Sequence, residues 1–218
     1  MHKEFWLERW EQNQIAFHQG QVHPMLIKHA SYFADLDGKI IFVPLCGKSL
    51  DMIWLQGAGA KVIGCELSHT ACEDFFIENK LSYTTQNLGD LTVYSSENIT
   101  IYCGDFFHLD NQVLKSVNYV YDRAALVALP LEMRKKYVTH LKLILPQVVY
   151  LLIAFSYTSE VEIGPPFAVF DDEISLLYSE SYSIRKLEQN TEKVSMNSRL
   201  YELGVLDITE SSYLLISR

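Results

Sequence analysis

The chain has 218 residues, 49% of them hydrophobic and 21% charged, with a formal net charge of -9 at neutral pH. That length accommodates one sizeable domain with a full core, and the composition excludes wholesale disorder. The acid excess argues against nucleic acid as a partner, because binding to a phosphate backbone runs on clustered Lys and Arg.

Residues 3 to 14 place Phe5, Trp6, Leu7 and Trp10 at helical spacing among Glu4, Glu8, Arg9 and Glu11. An amphipathic helix with that stripe docks on a domain through its aromatics, the role read for Trp6, while Trp10 stands out as a candidate for more. A loop-like stretch, Ile15 to His23, precedes a second helical segment, MLIKHASYFADL, that ends near Asp37-Gly38. Together these form an expected helical cover over residues 1–36. His18, His23 and His29 crowd this region. They lack i, i+4 spacing, and no acid or cysteine completes a zinc set, so no metal is expected.

The organising stretch is KIIFVPLCGKSLDMIWLQGAGAKVIGCE, Lys39 to Glu66. It reads as an apolar strand (Ile40 to Val43), a tight turn (Pro44 to Lys48), a helix from Ser49, a Gly-rich loop and a second strand ending at Glu66. Backbone N–H groups at the helix start face the strand ends. An acid at the tip of the second strand can accept hydrogen bonds from a ribose diol. The turn holds a single glycine, Gly47, so neither G-x-G-x-x-G nor G-x-x-x-x-G-K-[ST] is present. With no pyrophosphate or triphosphate cradle, a nucleoside carrying an amino-acid tail is the expected ligand.

Ser68 can cap a following helix, and strands are expected at Leu91 to Tyr94 and Ile99 to Cys103. The latter closes on Gly104-Asp105-Phe106-Phe107. Asp105 there either bonds an exocyclic amine beside a stacked purine or simply caps the next turn, and the sequence leaves both readings open. Another strand, Val117 to Tyr121, runs into Asp122-Arg123, and a helix over 132 to 145 leads to an apolar strand, VVYLLIAFSY. Turn 44–48, Glu66, Asp105 and Arg123 all fall at carboxyl ends of expected strands, which points to a shared crevice. A loop containing Gly164-Pro165-Pro166-Phe167, a helix from Asp171 or Asp172, and late strands at Tyr182 to Glu188 and Tyr213 to Ser217 complete the chain.

Cys46, Cys65, Cys72 and Cys103 form no C-x-x-C pair and read as reduced, buried thiols. No run approaches 18 apolar residues and the N-terminus is polar, so a cytoplasmic address without a membrane partner is expected.

The segments FWLERW, PLCGKSLDM, GCELS, IYCGDFF, YDRAALVAL and GPPFAV, in this order and at these separations, resemble the thiopurine S-methyltransferase family. The likeness spans nearly the whole chain. It implies a Rossmann-like class I methyltransferase of α/β architecture, residues 1–218 forming one domain. The implied sheet is mostly parallel and seven-stranded, with helices on both faces and the N-terminal cover on top. It further implies S-adenosyl-L-methionine as methyl donor and S-adenosyl-L-homocysteine as product. The expected acceptor is an aromatic or heterocyclic thiol such as a thiopurine, with selenium and tellurium compounds as further candidates and detoxification as the setting. By this resemblance Trp10 closes over the cofactor, Leu45 lines its methionine side, Gly47 permits close backbone approach, and Glu66 holds the ribose. Asp105 and Phe106 surround the adenine, and Arg123 lies near the reaction centre. Arg199, five residues before Gly204, and Phe167 fall near the acceptor, and the protein is expected to be a monomer. An NAD-dependent oxidoreductase and a non-catalytic nucleoside-binding protein are the alternatives on the same fold. The first is disfavoured by the missing glycines.

Overall fold

The structure, a computed structural model, describes residues 3–160, 163–196 and 198–218. Met1 and His2 of the expected cover, Val161 and Glu162 of the expected loop, and Asn197 between the late strands lie outside the described residues.

The elements run α1 (Lys3–Glu11), α2 (Pro24–His29), β1 (Ile40–Val43), α3 (Asp51–Gly57), β2 (Lys61–Glu66), α4 (His69–Glu78), β3 (Thr84–Leu88), β4 (Leu91–Ser95) and β5 (Ile99–Cys103). They continue with α5 (Asn111–Leu114), β6 (Tyr119–Arg123), α6 (Ala125–Ala128), α7 (Leu131–Ile144), β7 (Val149–Ser156), α8 (Asp171–Tyr178), β8 (Tyr182–Lys193), α9 (Arg199–Glu202) and β9 (Asp207–Ser217).

Among the described residues one sheet of nine strands forms, in the order β3-β4-β5-β2-β1-β6-β7-β9-β8. The expectation of seven mostly parallel strands is corrected on both counts. β5, β2, β1, β6 and β7 are mutually parallel, whereas β3, β4, β9 and β8 pair antiparallel at the two flanks. The reason is chemical. β3 is fully exposed TTQNL and carries no apolar alternation, and it pairs with β4 through a two-residue turn at Gly89-Asp90 in which Gly89 takes φ +59°. β8 extends to Lys193 through mostly exposed residues held by the β9 ladder.

The central strands owe their continuous apolar character to burial on both faces. Side chains alternate across the sheet, so Ile41 and Val43 of β1 and Leu151 and Ile153 of β7 join one core with α2, α3 and α4. Phe42 of β1 and Tyr150, Leu152 and Ala154 of β7 join the other, against α6, α7 and α8. Each fully buried apolar side chain contributes about 1.5–3 kcal/mol. The second helical segment is shorter than expected. α2 ends at His29 and a 3-10 turn, Ala30–Phe33, carries the chain toward β1.

Pairing β1 between β2 and β6 brings the carboxyl ends of β1, β2, β5 and β6 to one edge. The cover is tied down above that edge. The His23 N–H donates to Asp51 Oδ1 at 2.8 Å, His23 Nε2 meets Glu210 at 3.0 Å, and Lys28 and His29 both bond Glu188 of β8.

Candidate active site

The turn after β1 starts under backbone strain. Leu45 sits at φ +46° and Gly47 at φ +52°, the left-handed region in which a side chain costs about 1–2 kcal/mol. A Cβ on Gly47 would stand 3.1 Å from Cζ2 of Trp10, so the indole lies directly against the turn. Trp10 is buried and meets Phe17 edge to face. A side chain at position 47 would therefore meet the cover's own tryptophan.

Glu66 ends β2 buried, with both oxygens engaged by backbone. Oε2 accepts from Gly47 N at 2.8 Å and Oε1 from Ser68 N at 2.9 Å. Burial pushes its carboxyl above the usual value, and those N–H groups partly oppose the shift. Its side chain is thereby fixed, with lone pairs left for a diol.

Asp105 takes up the capping role, and its second oxygen meets the cover. Oδ1 accepts from Phe107 N at 3.1 Å, capping the 3-10 turn Phe106–His108, while Oδ2 pairs with Lys3 of the cover at 2.5 Å. Burial alone would raise this carboxyl, but Lys3 and the Phe107 N–H outweigh it and hold it low.

Arg123 ends β6 and is held by partners that sequence spacing did not disclose. Its Nε donates to Asp51 Oδ2 at 2.8 Å and its Nη2 to Ser49 Oγ at 3.1 Å. Asp51, 1% exposed, also accepts from Tyr121 Oη at 3.0 Å, so one buried carboxylate fixes the arginine, the tyrosine and the chain before α2. An aspartate in the first turn of a helix reads as an ordinary complement to the helix dipole, so spacing alone does not mark Asp51. Ala124, next in the chain, takes φ +66°. Non-glycine residues in that region cluster where function over-determines the backbone, and Leu45 and Ala124 flank this crevice from β1 and β6.

Trp10, Leu45, Gly47, Glu66, Asp105, Phe106, Arg123 and Arg199 all line one cavity of about 790 Å³. That is within the usual span of small-molecule sites and toward its upper end. Trp6, expected only to dock, lines it too and meets Phe17 edge to face. Phe17 and His18, from a stretch read merely as loop, are further wall residues that sequence reasoning missed. Phe167 is the exception. Its ring folds back onto Gly164, where a Cβ would come within 2.1 Å of it, and Pro165 and Pro166 form the wall in its place.

A family model described as thiopurine S-methyltransferase (TPMT) matches residues 1–218. The chain belongs to the thiopurine S-methyltransferase family. Similar members include the thiopurine S-methyltransferase of Pseudomonas fluorescens (strain SBW25), 40% identical over all of both chains. That of Marinobacter nauticus is 46% identical over 86% of each. Among solved structures the fold is similar to a SAM-dependent methyltransferase from Anabaena variabilis, with TM-score 0.68, 15% identity, and coverage of 99% of this chain and 95% of that one. It is also similar to the magnesium protoporphyrin IX methyltransferase of Synechocystis with bound SAH, with TM-score 0.59, 16% identity, and coverage of 97% and 99%.

As a member of this family the protein is a methyltransferase acting on sulfur and uses S-adenosyl-L-methionine. The oxidoreductase alternative loses its support with that membership. The residues present suit the cofactor: a fixed carboxylate at the β2 tip, a turn approachable by backbone, and an aromatic cover. Among the described residues no group of three or more His, Cys, Asp or Glu is arranged to hold a metal, and no helix is long and apolar enough to cross a membrane. The three N-terminal histidines diverge, His18 to the cavity, His23 to Glu210 and His29 to Glu188.

Proposed function

We propose that this protein moves the methyl group of S-adenosyl-L-methionine onto the sulfur of a small aromatic or heterocyclic thiol of the thiopurine kind, working as a single-domain monomer in the cytoplasm. The observation that carries the reading is the convergence of Trp10, Leu45, Gly47, Glu66, Asp105, Phe106 and Arg123 on one cavity. Glu66 holds the ribose hydroxyls, Asp105 and Phe106 border the adenine, and Leu45, Gly47 and Trp10 enclose the methionine portion. Arg123, locked by Asp51 and Ser49, presents a fixed positive charge near the sulfur that reacts.

Methyl transfer from a sulfonium to a thiolate neutralises opposite charges along one line, so the protein gains chiefly by holding donor carbon and acceptor sulfur in register. A fixed guanidinium favours the anionic form of the acceptor. Arg199 begins α9 on the cavity wall and has no carboxylate partner among the described residues, leaving its charge available to the acceptor, with Pro165 and Pro166 as the apolar side. Selenols and related selenium or tellurium compounds, being acidic and soft, fit the same demands, and clearing such compounds is the setting proposed.

The test is a screen of radiolabelled methyl transfer over thiols and selenols, beside calorimetry with S-adenosyl-L-homocysteine and sedimentation of the free protein. Labelled product from aromatic thiols, together with a monomer, is expected. Tight product binding without methylation of any sulfur or selenium acceptor would overturn the acceptor assignment.

A further inference from the structure

Sulfur attacks as thiolate, and an ordinary thiol near pKa 8.5 is mostly protonated at neutral pH. A thiol of that kind must lose its proton to something on the way to the transition state. The titratable groups lining the cavity are nearly all engaged. Glu66 accepts two backbone N–H bonds, Asp51 accepts from His23 N, Tyr121 and Arg123, Asp105 holds Lys3 and Phe107 N, and Glu210 meets His23. Tyr121 and Tyr137 donate to Asp51 and Asp122, and burial pushes the Cys46 thiol well up, so that it stays protonated. Lysine and arginine, as cations, have no lone pair to offer.

One group remains. His18 stands half-buried on the cavity wall, in the loop between α1 and α2, and its ring has no hydrogen-bond or ion-pair partner among the described residues. It faces Lys48 from the turn after β1, Glu78 from α4 and Arg123 from β6. Lys48 is itself paired with Asp74 and Glu78, and Arg123 with Asp51.

We propose that His18 is the general base that takes the proton of the acceptor thiol, a role resting on the sulfur-acceptor reading above. The thiol S–H bond breaks with its proton passing to a ring nitrogen of neutral imidazole. The sulfur lone pair forms the new S–CH3 bond, and the methyl–sulfonium bond breaks with its electron pair remaining on the cofactor sulfur. Methyl thioether, S-adenosyl-L-homocysteine and imidazolium result, and the half-exposed ring returns its proton to water. Burial lowers the ring's proton affinity, Lys48 and Arg123 lower it further, and Glu78 opposes them. The ring is therefore unprotonated at neutral pH and able to accept.

The need for His18 therefore depends on acceptor acidity. A thiol already ionised at pH 7 bypasses the base, whereas one of pKa 8 to 9 relies on it. His18→Gln keeps the bulk and polarity of the side chain without its titration. At pH 7 its kcat/KM on weakly acidic thiols is expected to fall about 100-fold, as removal of a general base does. On strongly acidic aromatic thiols it should hardly change. The acid limb of the wild-type pH profile, set by the ring below its ordinary value of about 6.5, should vanish in the variant. Affinity for S-adenosyl-L-homocysteine, measured by calorimetry, should be retained. Equal loss on both classes of thiol, or a loss of product affinity matching the loss of rate, would overturn the base role while leaving the sulfur acceptor intact. A wild-type protein that methylates no thiol at all would instead remove the acceptor reading, and the His18 role with it.

Discussion

Two carboxylates at the crevice show how differently one residue type is used. Glu66 is fixed by backbone alone, Gly47 N and Ser68 N, and it lines the cavity. Glu66→Ala should weaken S-adenosyl-L-homocysteine binding by about 1–3 kcal/mol, the cost of losing a charge-assisted acceptor. Calorimetry reads this directly, and an unchanged Kd would remove the ribose role. Asp51 instead serves the protein. It neutralises Arg123 in a buried setting and collects Tyr121 and the His23 N–H besides. Asp51→Ala leaves that guanidinium buried without a counter-charge, and such breaks cost about 3–5 kcal/mol. Urea unfolding should register that loss, and a loss below about 1 kcal/mol would mean that Arg123 finds another partner or water.

At the scale of elements, legibility followed burial. β1, β2, β5 and β7 announced themselves as apolar runs because a sheet covered on both faces leaves no polar position to interrupt them. β3 and the far half of β8 escaped because a flanking ribbon is stabilised by its ladder, with little side-chain burial to mark it. The attachment of the cover was equally hidden, since Lys28 and His29 meet Glu188 across 159 to 160 residues of chain. That attachment predicts a pH effect. Hydrogen bonds from Lys28 and then His29 hold the Glu188 carboxyl at about 2, although burial opposes them. In the unfolded chain it titrates near its ordinary value of about 4.3. Between those two values the unfolded state binds more protons, so stability rises with pH there. The contribution of Glu188 is complete above the unfolded value and is lost as pH falls through the folded one. The stability gap between wild type and Glu188→Gln, followed by urea unfolding, should accordingly narrow as pH drops from about 5 toward 3. A gap constant over that range would show that the pair does not hold the cover.

For the whole molecule, the crevice was readable because parallel strands joined by right-handed crossovers place their carboxyl ends on one edge, so residues at expected strand tips had to be neighbours. Eight of the residues singled out do line one cavity, and Phe167 does not, because the turn of its ring onto Gly164 is a local packing choice that no periodicity encodes. The left-handed conformations of Leu45 and Ala124 and the Asp51–Arg123 contact, 72 residues apart, likewise belong to tertiary structure alone. What unites these parts is that the cover, the β1 turn and the β6 end all contact the same volume, so a ligand filling it bridges elements that otherwise meet through few bonds. Such a ligand stabilises the folded state by mass action. At a hundredfold excess over its Kd, S-adenosyl-L-homocysteine should add about 2.7 kcal/mol. For a chain of this size each kcal/mol moves the midpoint by about 2–4 °C, so a rise of about 5–10 °C is expected. NADH at the same concentration should produce none, because the β1 turn has only Gly47 where a dinucleotide needs three glycines. The reverse pattern, a shift with NADH and none with S-adenosyl-L-homocysteine, would mean that the cavity is shaped for a different nucleotide.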